Sequence, residues 1–408
     1  MSFCHWEELA KDIKQMKILM LAPEEFYDET GTPLSVYYRI KTLSELGHRV
    51  DLVTYHLGKE VRIKNTGIYR IPKIPFIKKI KVGPSWPKVL LDIVLFFKAF
   101  SLLMRNSYDC LHAHEEASLF GIIFKKLFKL PHIYDMHSSL PQQLINYNFT
   151  KSRIIIYLMS FLERWTIKCS DHIIVICPHL KETVVKINPN KLTTLIENTS
   201  QVWDVPLPGE GKTTRLKEKL SLNDKKVIMY TGTFEANQGI GMLIESIPLV
   251  IEKEPEIKYV LVGGKPQHLK ETRKMVSHLN LNDYVEIVGM RPIQEMESYL
   301  ALSNILVSPR TIGTNTPLKI YSYLTSKKPI VATNLLTHTQ VLSDEVAILV
   351  EPTKEGLANG VIRLLRDEAL GKILARKAKE LAQKKYSYEN FKNRTKGVYD
   401  SIESLRMG

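Results

Sequence analysis

The sequence alternates twice between short apolar stretches and segments with helical spacing, and this pattern restricts the possible folds most strongly. Apolar stretches of this length are typical of strands that are buried on both faces of a sheet. Strands that alternate with helices form parallel sheets, so the first half predicts a doubly wound α/β domain. Its predicted strands lie at 17–23, 48–55, 109–114, 132–136 and 172–176.

The alternation begins again after a segment that contains Pro206, Pro208, Gly209 and Gly211, residues typical of a connection. Further predicted strands lie at 227–232, 258–264, 284–289, 304–308 and 329–333. We therefore expect a Rossmann-like domain at 1–200, a linker at 201–224, a second Rossmann-like domain at 225–385, and a C-terminal helix at 386–408 that returns to the first domain. Ligands of open parallel sheets bind outside the carboxyl ends of the strands, so the function should lie in a cleft between the two domains.

The first residues and the cysteines indicate the compartment. The chain begins with acidic residues and has no apolar signal core, although Phe3, Trp6 and Leu9 share one face of a predicted amphipathic helix. Four scattered cysteines form no C-x-x-C pair, which argues against a disulfide framework and against a zinc site. We expect a protein of the reducing cytoplasm.

The net charge of +14 is concentrated in residues 59–105, which hold eleven basic and two acidic residues. Nucleic acid is not the expected partner, because no nucleic-acid-binding motif accompanies the charge. Apolar residues such as Trp86, Phe96 and Phe97 are interleaved with it, a mixture that suits an anionic membrane surface. A solvated basic face is the alternative. The apolar run at 89–104 is too short to span a bilayer, so we expect peripheral attachment to the inner face of the membrane.

The most informative motif follows the predicted strand that ends at Ser308. A loop with Gly313, Thr314, Asn315 and Thr316 leads directly into a helix that should begin at Pro317, with Thr316 as its N-cap. Free amides and the helix dipole at such a terminus bind anions, and a pyrophosphate is the natural occupant in a Rossmann-like domain. The alternative is a capped helix without a ligand.

A second loop, with Gly232, Thr233, Gln238 and Gly239, follows the first strand of the second domain. Gly232 allows the backbone to approach a ligand closely. The loop does not contain the G-x-G-x-x-G pattern of dinucleotide-binding folds, so we expect no dinucleotide or other cofactor.

Taken in order, several short segments resemble the retaining GT-B glycosyltransferases of family four. The resemblance implies a GT-B fold, with an acceptor-side domain at 1–200 and a nucleotide-sugar-binding domain at 225–385 that face a cleft. It also implies transfer of a hexose from a nucleotide-diphosphate sugar to a lipid-linked or surface-polysaccharide acceptor. It covers nearly the whole chain. Its segments are Gly31-Thr32-Pro33, Leu111-His112-Ala113-His114, Tyr134-Asp135-Met136-His137, Ile196-Glu197-Asn198, Tyr230-Thr231-Gly232-Thr233, Leu261-Val262-Gly263-Gly264, Val288-Gly289, and Ser308-Pro309 through Thr333.

The sequence lacks the charged residues that the family has at several positions of the donor site. Two glutamates that the family uses for the donor sugar and the ribose are replaced by Thr314 and Ser322. An arginine and a lysine that neutralise the diphosphate are replaced by Thr233 and Gln238. Arg310 and Lys319 are the nearest candidates to restore the positive charge.

The resemblance also implies roles for other residues. His137 matches the family's histidine near the reacting sugar, and Gly31 and Thr32 belong to a loop on the donor side. His112 and His114 point to one face of their strand, where either could contact the acceptor. With the adjacent acidic residues they could instead hold a metal ion, but we expect none.

The family's reaction retains the anomeric configuration, and the leaving diphosphate accepts the proton of the acceptor. Two other hypotheses stay open. One is a catalytically silent GT-B subunit that binds sugar or lipid and supports a partner, and the other is a sugar-nucleotide epimerase.

Overall fold

The computed structural model describes residues 15–28, 31–80, 83, 85–146, 149–199, 210–222 and 225–407. The amphipathic helix expected around Trp6 and residues 201–209 of the expected linker lie outside this part of the chain. The chain divides into an N-terminal unit, Met1–Glu197 together with Phe391–Gly408, and a C-terminal unit, Asn198–Asn390.

The N-terminal unit is built on a seven-stranded sheet in the order β3-β2-β1-β4-β5-β6-β7, and every pair of neighbouring strands is parallel. The central strands have almost no exposure, because helices cover both faces of the sheet. The strands are β1 (Lys17–Ala22), β2 (Arg49–Thr54), β3 (Thr66–Arg70), β4 (Cys110–His114), β5 (His132–Met136), β6 (His172–Val175) and β7 (Thr193–Leu195). The helices between them are α1 (Gly31–Glu45), α2 (Trp86–Arg105), α3 (Ser118–Phe128), α4 (Leu140–Asn146), α5 (Arg153–Cys169) and α6 (Pro178–Ile187).

The C-terminal unit repeats the design with a six-stranded sheet in the order β10-β9-β8-β11-β12-β13, again parallel throughout. Its strands are β8 (Lys226–Gly232), β9 (Ile257–Gly263), β10 (Val285–Gly289), β11 (Ile305–Ser308), β12 (Ile330–Thr333) and β13 (Ile348–Val350). Its helices are α7 (Glu210–Lys219), α8 (Ile240–Ile251), α9 (Pro266–His278), α10 (Met296–Leu302), α11 (Leu318–Thr325), α12 (Leu336–Thr339), α13 (Lys354–Arg366) and α14 (Glu368–Lys385), and α15 (Tyr388–Met407) leads from this unit into the N-terminal unit.

Local signals in the sequence explain several helix boundaries. The Thr353 hydroxyl accepts a hydrogen bond of 3.0 Å from the Gly356 amide, and α13 begins there. The Asp367 carboxylate accepts one of 2.8 Å from the Leu370 amide at the start of α14. Proline lies in the first turn of α2, where its missing amide hydrogen is no loss.

Three short strands, β3, β7 and β13, and helix α7 were not predicted. The edge strands have three to five residues, too few for a clear apolar pattern. Helix α7 lies within the stretch expected as a linker, and the chain just after it is packed, with Leu220 and Leu222 buried in the core of the C-terminal unit. This stretch therefore belongs to the fold from Glu210 onward.

Each sheet has one point at which the strand order reverses. In the N-terminal unit this point lies between the neighbouring strands β1 and β4, and in the C-terminal unit it lies between β8 and β11. The crevice outside the carboxyl ends of such strands is the common ligand site of doubly wound sheets. Within the described residues, no helix is both long and apolar enough to cross a membrane.

Candidate functional site

In the C-terminal unit, the loop after β8 packs directly against a lysine from helix α11. The Nζ atom of Lys319 lies 3.8 Å from the centre of the Tyr230 ring and donates a hydrogen bond of 3.2 Å to Gln238 Oε1. Gly232 has a φ of +137°, and a Cβ atom there would come within 2.8 Å of Lys319 Nζ. The Tyr230 hydroxyl donates to the Thr233 carbonyl at 2.5 Å. Gly232 is therefore required both by its backbone angle and by the approach of the lysine.

The loop after β11 is fixed through its carbonyl groups. Asn315 O accepts hydrogen bonds from Arg310 Nη1 at 2.8 Å and from Thr337 Oγ1 at 2.6 Å, and Thr314 O accepts one from Gln340 Nε2 at 2.7 Å. In a planar trans peptide the N–H points opposite to the C=O. The amides of Asn315 and Thr316 therefore point away from these anchoring side chains, as an anion site requires.

Thr316 does not have the position expected for it. The residue that precedes the first turn of α11 is Pro317, with φ −64° and ψ 138°, and no side chain caps this helix. The expected N-cap is therefore wrong by one residue, because the chain enters the helix only after the extended proline. The Thr316 hydroxyl is buried, and no described residue gives it a hydrogen bond. A buried hydroxyl in this state costs free energy unless a ligand binds it.

A basic side chain from helix α11 lies where the loop after β8 lacks one. Gln238 occupies the place where the family resemblance implies a lysine, and the Lys319 amino group lies beside it. Burial lowers the pKa of Lys319 well below its usual range, and the charge of Arg310 lowers it further. A bound diphosphate would reverse this shift, because an adjacent anion favours the protonated ammonium.

In the N-terminal unit, Asp135 at the end of β5 is the centre of a buried polar group. Its Oδ2 accepts a hydrogen bond from Arg39 Nε at 3.2 Å and lies 3.2 Å from His112 Nε2. Burial opposes ionisation of Asp135, but Arg39 and then His137 and His114 hold its pKa well below its usual range. The Arg39 guanidinium also donates to Thr395 Oγ1 of α15 at 2.9 Å.

The three candidate histidines surround this aspartate. His137 Nε2 lies 3.3 Å from Asp135 Oδ1 and 3.1 Å from His114 Nδ1. His112 uses both ring nitrogens inside the unit, since its Nδ1 lies 2.6 Å from the Tyr399 hydroxyl. His112 and His114 are fully buried, and burial lowers the pKa of both. Contact of His112 or His114 with an acceptor stays a prediction.

One atom from each of His112, His114 and Asp135 lies within 4.8 Å of the others, so these residues could hold a metal ion by spacing alone. Asp135, however, already binds the Arg39 guanidinium, whose charge opposes a cation. The residues therefore fit a proton-bearing network better than a metal centre. The absence of a metal stays a prediction.

The remaining candidates are divided between the two units. Gly31 opens α1 with a φ of +49°, and Thr32 follows it in the first turn. Gly313 has a φ of +131°, and a Cβ atom there would lie 3.3 Å from Arg310 Nη1. Ser322 lies on α11, one turn after Lys319, and is partly buried.

Two family models match the chain, and together they cover most of it. The model described as "Glycosyltransferase Family 4" matches residues 30–198, and the model described as "Glycosyl transferases group 1" matches residues 225–367. This chain is a family 4 glycosyltransferase. The two parallel-sheet domains have the GT-B architecture, as the sequence predicted.

Individual relatives of this glycosyltransferase are distant. The gpi3 subunit of the phosphatidylinositol N-acetylglucosaminyltransferase of Schizosaccharomyces pombe is 20% identical over 91% of this chain and 78% of its own length. The capsular polysaccharide biosynthesis glycosyltransferase CapM of Staphylococcus aureus is 22% identical over 85% of this chain and 88% of its own length. A crystal structure of Anabaena HepE in complex with UDP-glucose has a TM-score of 0.71 and 17% identity, covering 95% of this chain and all of the other.

Sequence reasoning missed several residues of the glycosyltransferase that hold the candidates in place. Thr337 and Gln340 anchor the loop after β11 from a short helix that has no motif. Arg39 and Asp135 lie 96 positions apart and meet only in the fold. The sequence did indicate that Asp135 is paired, because a charged residue inside a strand that is buried on both faces must have a partner.

A group of buried carboxyls near the carboxyl ends of β1 and β4 predicts an unusual pH dependence. Burial raises the pKa of Glu24, Asp92 and Glu115 to about 8 in each case. A carboxyl whose pKa is raised by folding stabilises the fold below its unfolded pKa, and this contribution decreases as pH rises towards the folded pKa. Lys319 acts in the opposite direction, because burial lowers its pKa, so the carboxyl contribution is measured as a difference between the wild type and a carboxyl variant.

We expect the free energy of unfolding to fall between pH 7 and pH 8, by up to about 1.4 kcal/mol for each carboxyl. Urea titration followed by tryptophan fluorescence measures this in the wild type and in Glu24→Gln, which cannot ionise. The variant should show a smaller decrease. Equal pH profiles for the two proteins would show that Glu24 does not titrate as its burial implies.

Proposed function

We propose that this glycosyltransferase transfers a hexose from a nucleotide-diphosphate sugar to a lipid-linked acceptor, with retention of the anomeric configuration. A surface polysaccharide is the alternative acceptor. The observation that carries the proposal is the Lys319 ammonium beside Gln238, next to a loop whose outward amides and buried Thr316 hydroxyl suit a diphosphate. The UDP-glucose bound by HepE and the lipid named for the Schizosaccharomyces pombe relative support the two substrate classes.

The reaction places negative charge on the leaving diphosphate, and this charge is what the protein must stabilise. Lys319 supplies an ammonium whose pKa rises when the anion binds, and the amides of Asn315 and Thr316 supply donors that need no reorganisation. The diphosphate itself accepts the proton of the acceptor, so the proposed chemistry requires no separate protein base. His137, held by Asp135 and His114, is the proposed contact to the reacting sugar.

Nucleotide sugars test the proposal directly. The full chain is screened with UDP-, GDP- and ADP-hexoses by thermal shift, and the best donor is then assayed for release of nucleotide diphosphate. We expect stabilisation by one nucleotide class, since a ligand at 100 times its Kd adds about 2.7 kcal/mol. Binding without turnover, with or without lipid extracts as acceptors, would favour the catalytically silent subunit instead.

The loop after β11 should lose donor affinity when Gly313 is replaced. Gly313→Val places a branched side chain at a φ of +131° and against the Arg310 guanidinium, so the loop must shift. We expect the Kd for UDP to rise at least tenfold, which corresponds to about 1.4 kcal/mol. Calorimetry on both proteins measures this, and an unchanged Kd would remove the loop from the donor site.

We also propose that the N-terminal unit attaches to an anionic membrane surface. On α2, the side chains of Trp86 and Phe97 are 77% and 63% exposed. On α5, those of Ile154 and Tyr157 are 80% and 74% exposed. Helix α3 packs against both helices. Exposed apolar residues of this kind are typical of an interaction surface.

Two details of the expected membrane surface need correction. Phe96 does not face outward, because its ring stacks on Phe124 at 4.8 Å. Lys88 bonds with Glu116 at 3.2 Å and is not available to lipid. Helix α5, which the charge pattern did not indicate, supplies apolar side chains instead.

Binding to vesicles should depend on charge. We expect pelleting with liposomes to increase with anionic lipid and to collapse at high salt, since about 1 kcal/mol per basic residue is gained at such a surface. Replacing Lys78, Lys79 and Lys81 with Glu should abolish it. The same reversal of Lys377, Lys384 and Lys385 on α14 of the C-terminal unit is the control and should leave it unchanged. Equal pelleting with neutral and anionic vesicles would contradict the electrostatic attachment.

A further inference from the structure

A buried histidine of the C-terminal unit, His338 on α12, has no part in the donor chemistry described so far. Its ring lies between the ends of two neighbouring strands. Nε2 lies 2.8 Å from the Ser308 hydroxyl at the end of β11, and Nδ1 lies 2.8 Å from the Thr333 carbonyl oxygen at the end of β12. One buried ring thus bridges two strand ends.

The two bonds determine which ring nitrogen of His338 carries the proton. A carbonyl oxygen can only accept a hydrogen bond, so Nδ1 must be protonated and donate to Thr333 O. In the neutral ring Nε2 is then an acceptor, and the Ser308 hydroxyl donates to it. Burial lowers the pKa of His338 to about 4, so the ring is neutral near pH 7. His338 therefore has one defined tautomer, with both nitrogens paired.

The bridge lies where the backbone pairing of β11 with β12 ends. The register of the two strands stops at Ser308 and Ala332. One residue further, the Thr333 hydroxyl donates to the Arg310 carbonyl at 2.7 Å, and His338 adds its own two bonds. Side chains thus continue the connection beyond the backbone ladder, so the loop that follows β11 begins from a fixed point.

The residues beside His338 hold the rest of that loop. Thr337 and Gln340 donate to the carbonyl oxygens of Asn315 and Thr314. Because these two side chains are close neighbours of His338 in the chain, the place of the imidazole ring sets the place of both anchors. The outward direction of the loop's amides therefore depends on the histidine bridge.

The loop after β8 holds the same strand end from the other side, since β11 lies between β8 and β12. The Thr311 amide donates to the Asn237 carbonyl at 3.1 Å, and a Cβ atom on Gly239 would clash with the Pro309 carbonyl oxygen. A displacement at Ser308 would consequently pass to both loops of the candidate donor site.

We propose that His338 is a positioning residue for donor binding, and that its Nδ1–H tautomer directs the amides of Asn315 and Thr316 towards the donor diphosphate. This inference rests on the proposed function, since the loop that His338 holds is the proposed diphosphate site. The ring is 0% exposed, so it acts only through its two partners, Ser308 and Thr333.

Two replacements of His338 separate its two bonds. Asparagine places an amide nitrogen near the position of Nδ1 and has no atom at the position of Nε2, whereas glutamine places an amide oxygen near Nε2. Binding of UDP, GDP and ADP to the full chain is measured by calorimetry. We expect the Kd of the best nucleotide to rise by about tenfold in His338→Asn, which corresponds to one misdirected hydrogen bond to a charged group.

The conservative variant should rescue binding. His338→Gln can still accept from Ser308, so its Kd should stay within about threefold of the wild type. Ser308→Ala removes the same bond with a smaller change of volume and should raise the Kd as His338→Asn does.

His172→Asn is the matched control. His172 is also a buried histidine that bridges two elements, with Nδ1 2.8 Å from Ser401 Oγ and Nε2 2.8 Å from Thr194 Oγ1, but it belongs to the N-terminal unit. Urea unfolding measures the loss of stability, which both asparagine variants should share. Only His338→Asn should also change the Kd.

Nitrogen NMR supplies a readout that a merely structural contact would not change. His338 of the wild type should be protonated at Nδ1 and bare at Nε2, with and without nucleotide. The amide resonances of Asn315 and Thr316 should shift when the nucleotide binds to the wild type, and these shifts should be much smaller in His338→Asn.

Two results would overturn the inference. One is a Kd within about twofold of the wild type in both His338→Asn and Ser308→Ala. The other is a His338 ring that carries its proton on Nε2. If the wild-type chain binds none of the three nucleotides, the proposed function itself fails, so the two failures are distinguishable.

Discussion

Replacement of Lys319 with Met is expected to lower kcat for sugar transfer by about 10²- to 10³-fold, the usual cost of removing a group that stabilises developing charge. Methionine preserves the packing of the aliphatic chain against Tyr230 and removes only the ammonium. The loop after β8 has Thr233 and Gln238 where the family has basic residues, so no other lysine compensates there. Release of nucleotide diphosphate under saturating donor measures the effect.

Lys328→Met is the matched control for this prediction. Lys328 is also partly buried in the C-terminal unit, but its Nζ donates to the Ala301 carbonyl at 2.9 Å and does not contact the donor loops. We expect its turnover to stay within about twofold of the wild type. If alanine at both Arg310 and Lys319 leaves turnover within a few-fold of the wild type, the compensating charge lies elsewhere.

A second readout separates the charge of Lys319 from its packing. Because burial lowers the pKa of the free lysine and a diphosphate raises it, UDP binding should take up a proton. Calorimetry in buffers with different ionisation enthalpies detects this uptake. Lys319→Met should bind UDP without it, and an uptake equal to that of the wild type would contradict the proposed role.

Asp135→Asn is expected to destabilise the N-terminal unit by about 3–5 kcal/mol, because it leaves the Arg39 guanidinium buried without a counter-charge. Arg39 and Asp135 are 3% and 0% exposed, so water cannot replace either partner. Since folding lowers the pKa of Asp135, its contribution is present above the unfolded pKa and is lost as pH falls through the folded pKa. Urea unfolding at pH 7 measures the loss.

The control is an ion pair of the same unit at the surface. Lys396 and Asp400 are 2.8 Å apart on α15 with side chains 39% and 50% exposed, and Asp400→Asn should cost less than about 1 kcal/mol. The double variant Arg39→Met with Asp135→Leu should recover much of the stability that either single variant loses, because no charge then stays buried alone. Losses that simply add would show that the two residues are not coupled.

The sequence was sufficient for the architecture because the architecture follows from local patterns. Each long strand of the two sheets could be predicted as an apolar run followed by a helix. Strands that alternate with helices in this way form parallel sheets with helical crossovers. The short strands β3, β7 and β13 could not be predicted, because three to five residues are too few to show a clear apolar pattern. Helix α7 was missed because the proline- and glycine-rich segment before it suggested a linker.

The candidate donor site could be predicted in part, because local sequence patterns also show which loops follow the strands. The loops at 232–238 and 313–316 stand out by composition, and both lie at the reversal point of the second sheet. The position of Thr316 was wrong by one residue, because the chain can delay a helix by one extended proline without changing its sequence signal.

Sequence alone thus determined which residues lie at the carboxyl ends of the strands, because strand order and loop position follow from local pattern. Only the tertiary structure decided which of them meet. Arg39 bonds with Asp135 across 96 positions, Lys319 bonds with Gln238 across 81, and the buried Glu24 Oε1 has no hydrogen-bond donor among the described residues. Charge and hydrogen bonding depend on distance in space, and distance in space is set by the packing of the whole sheet.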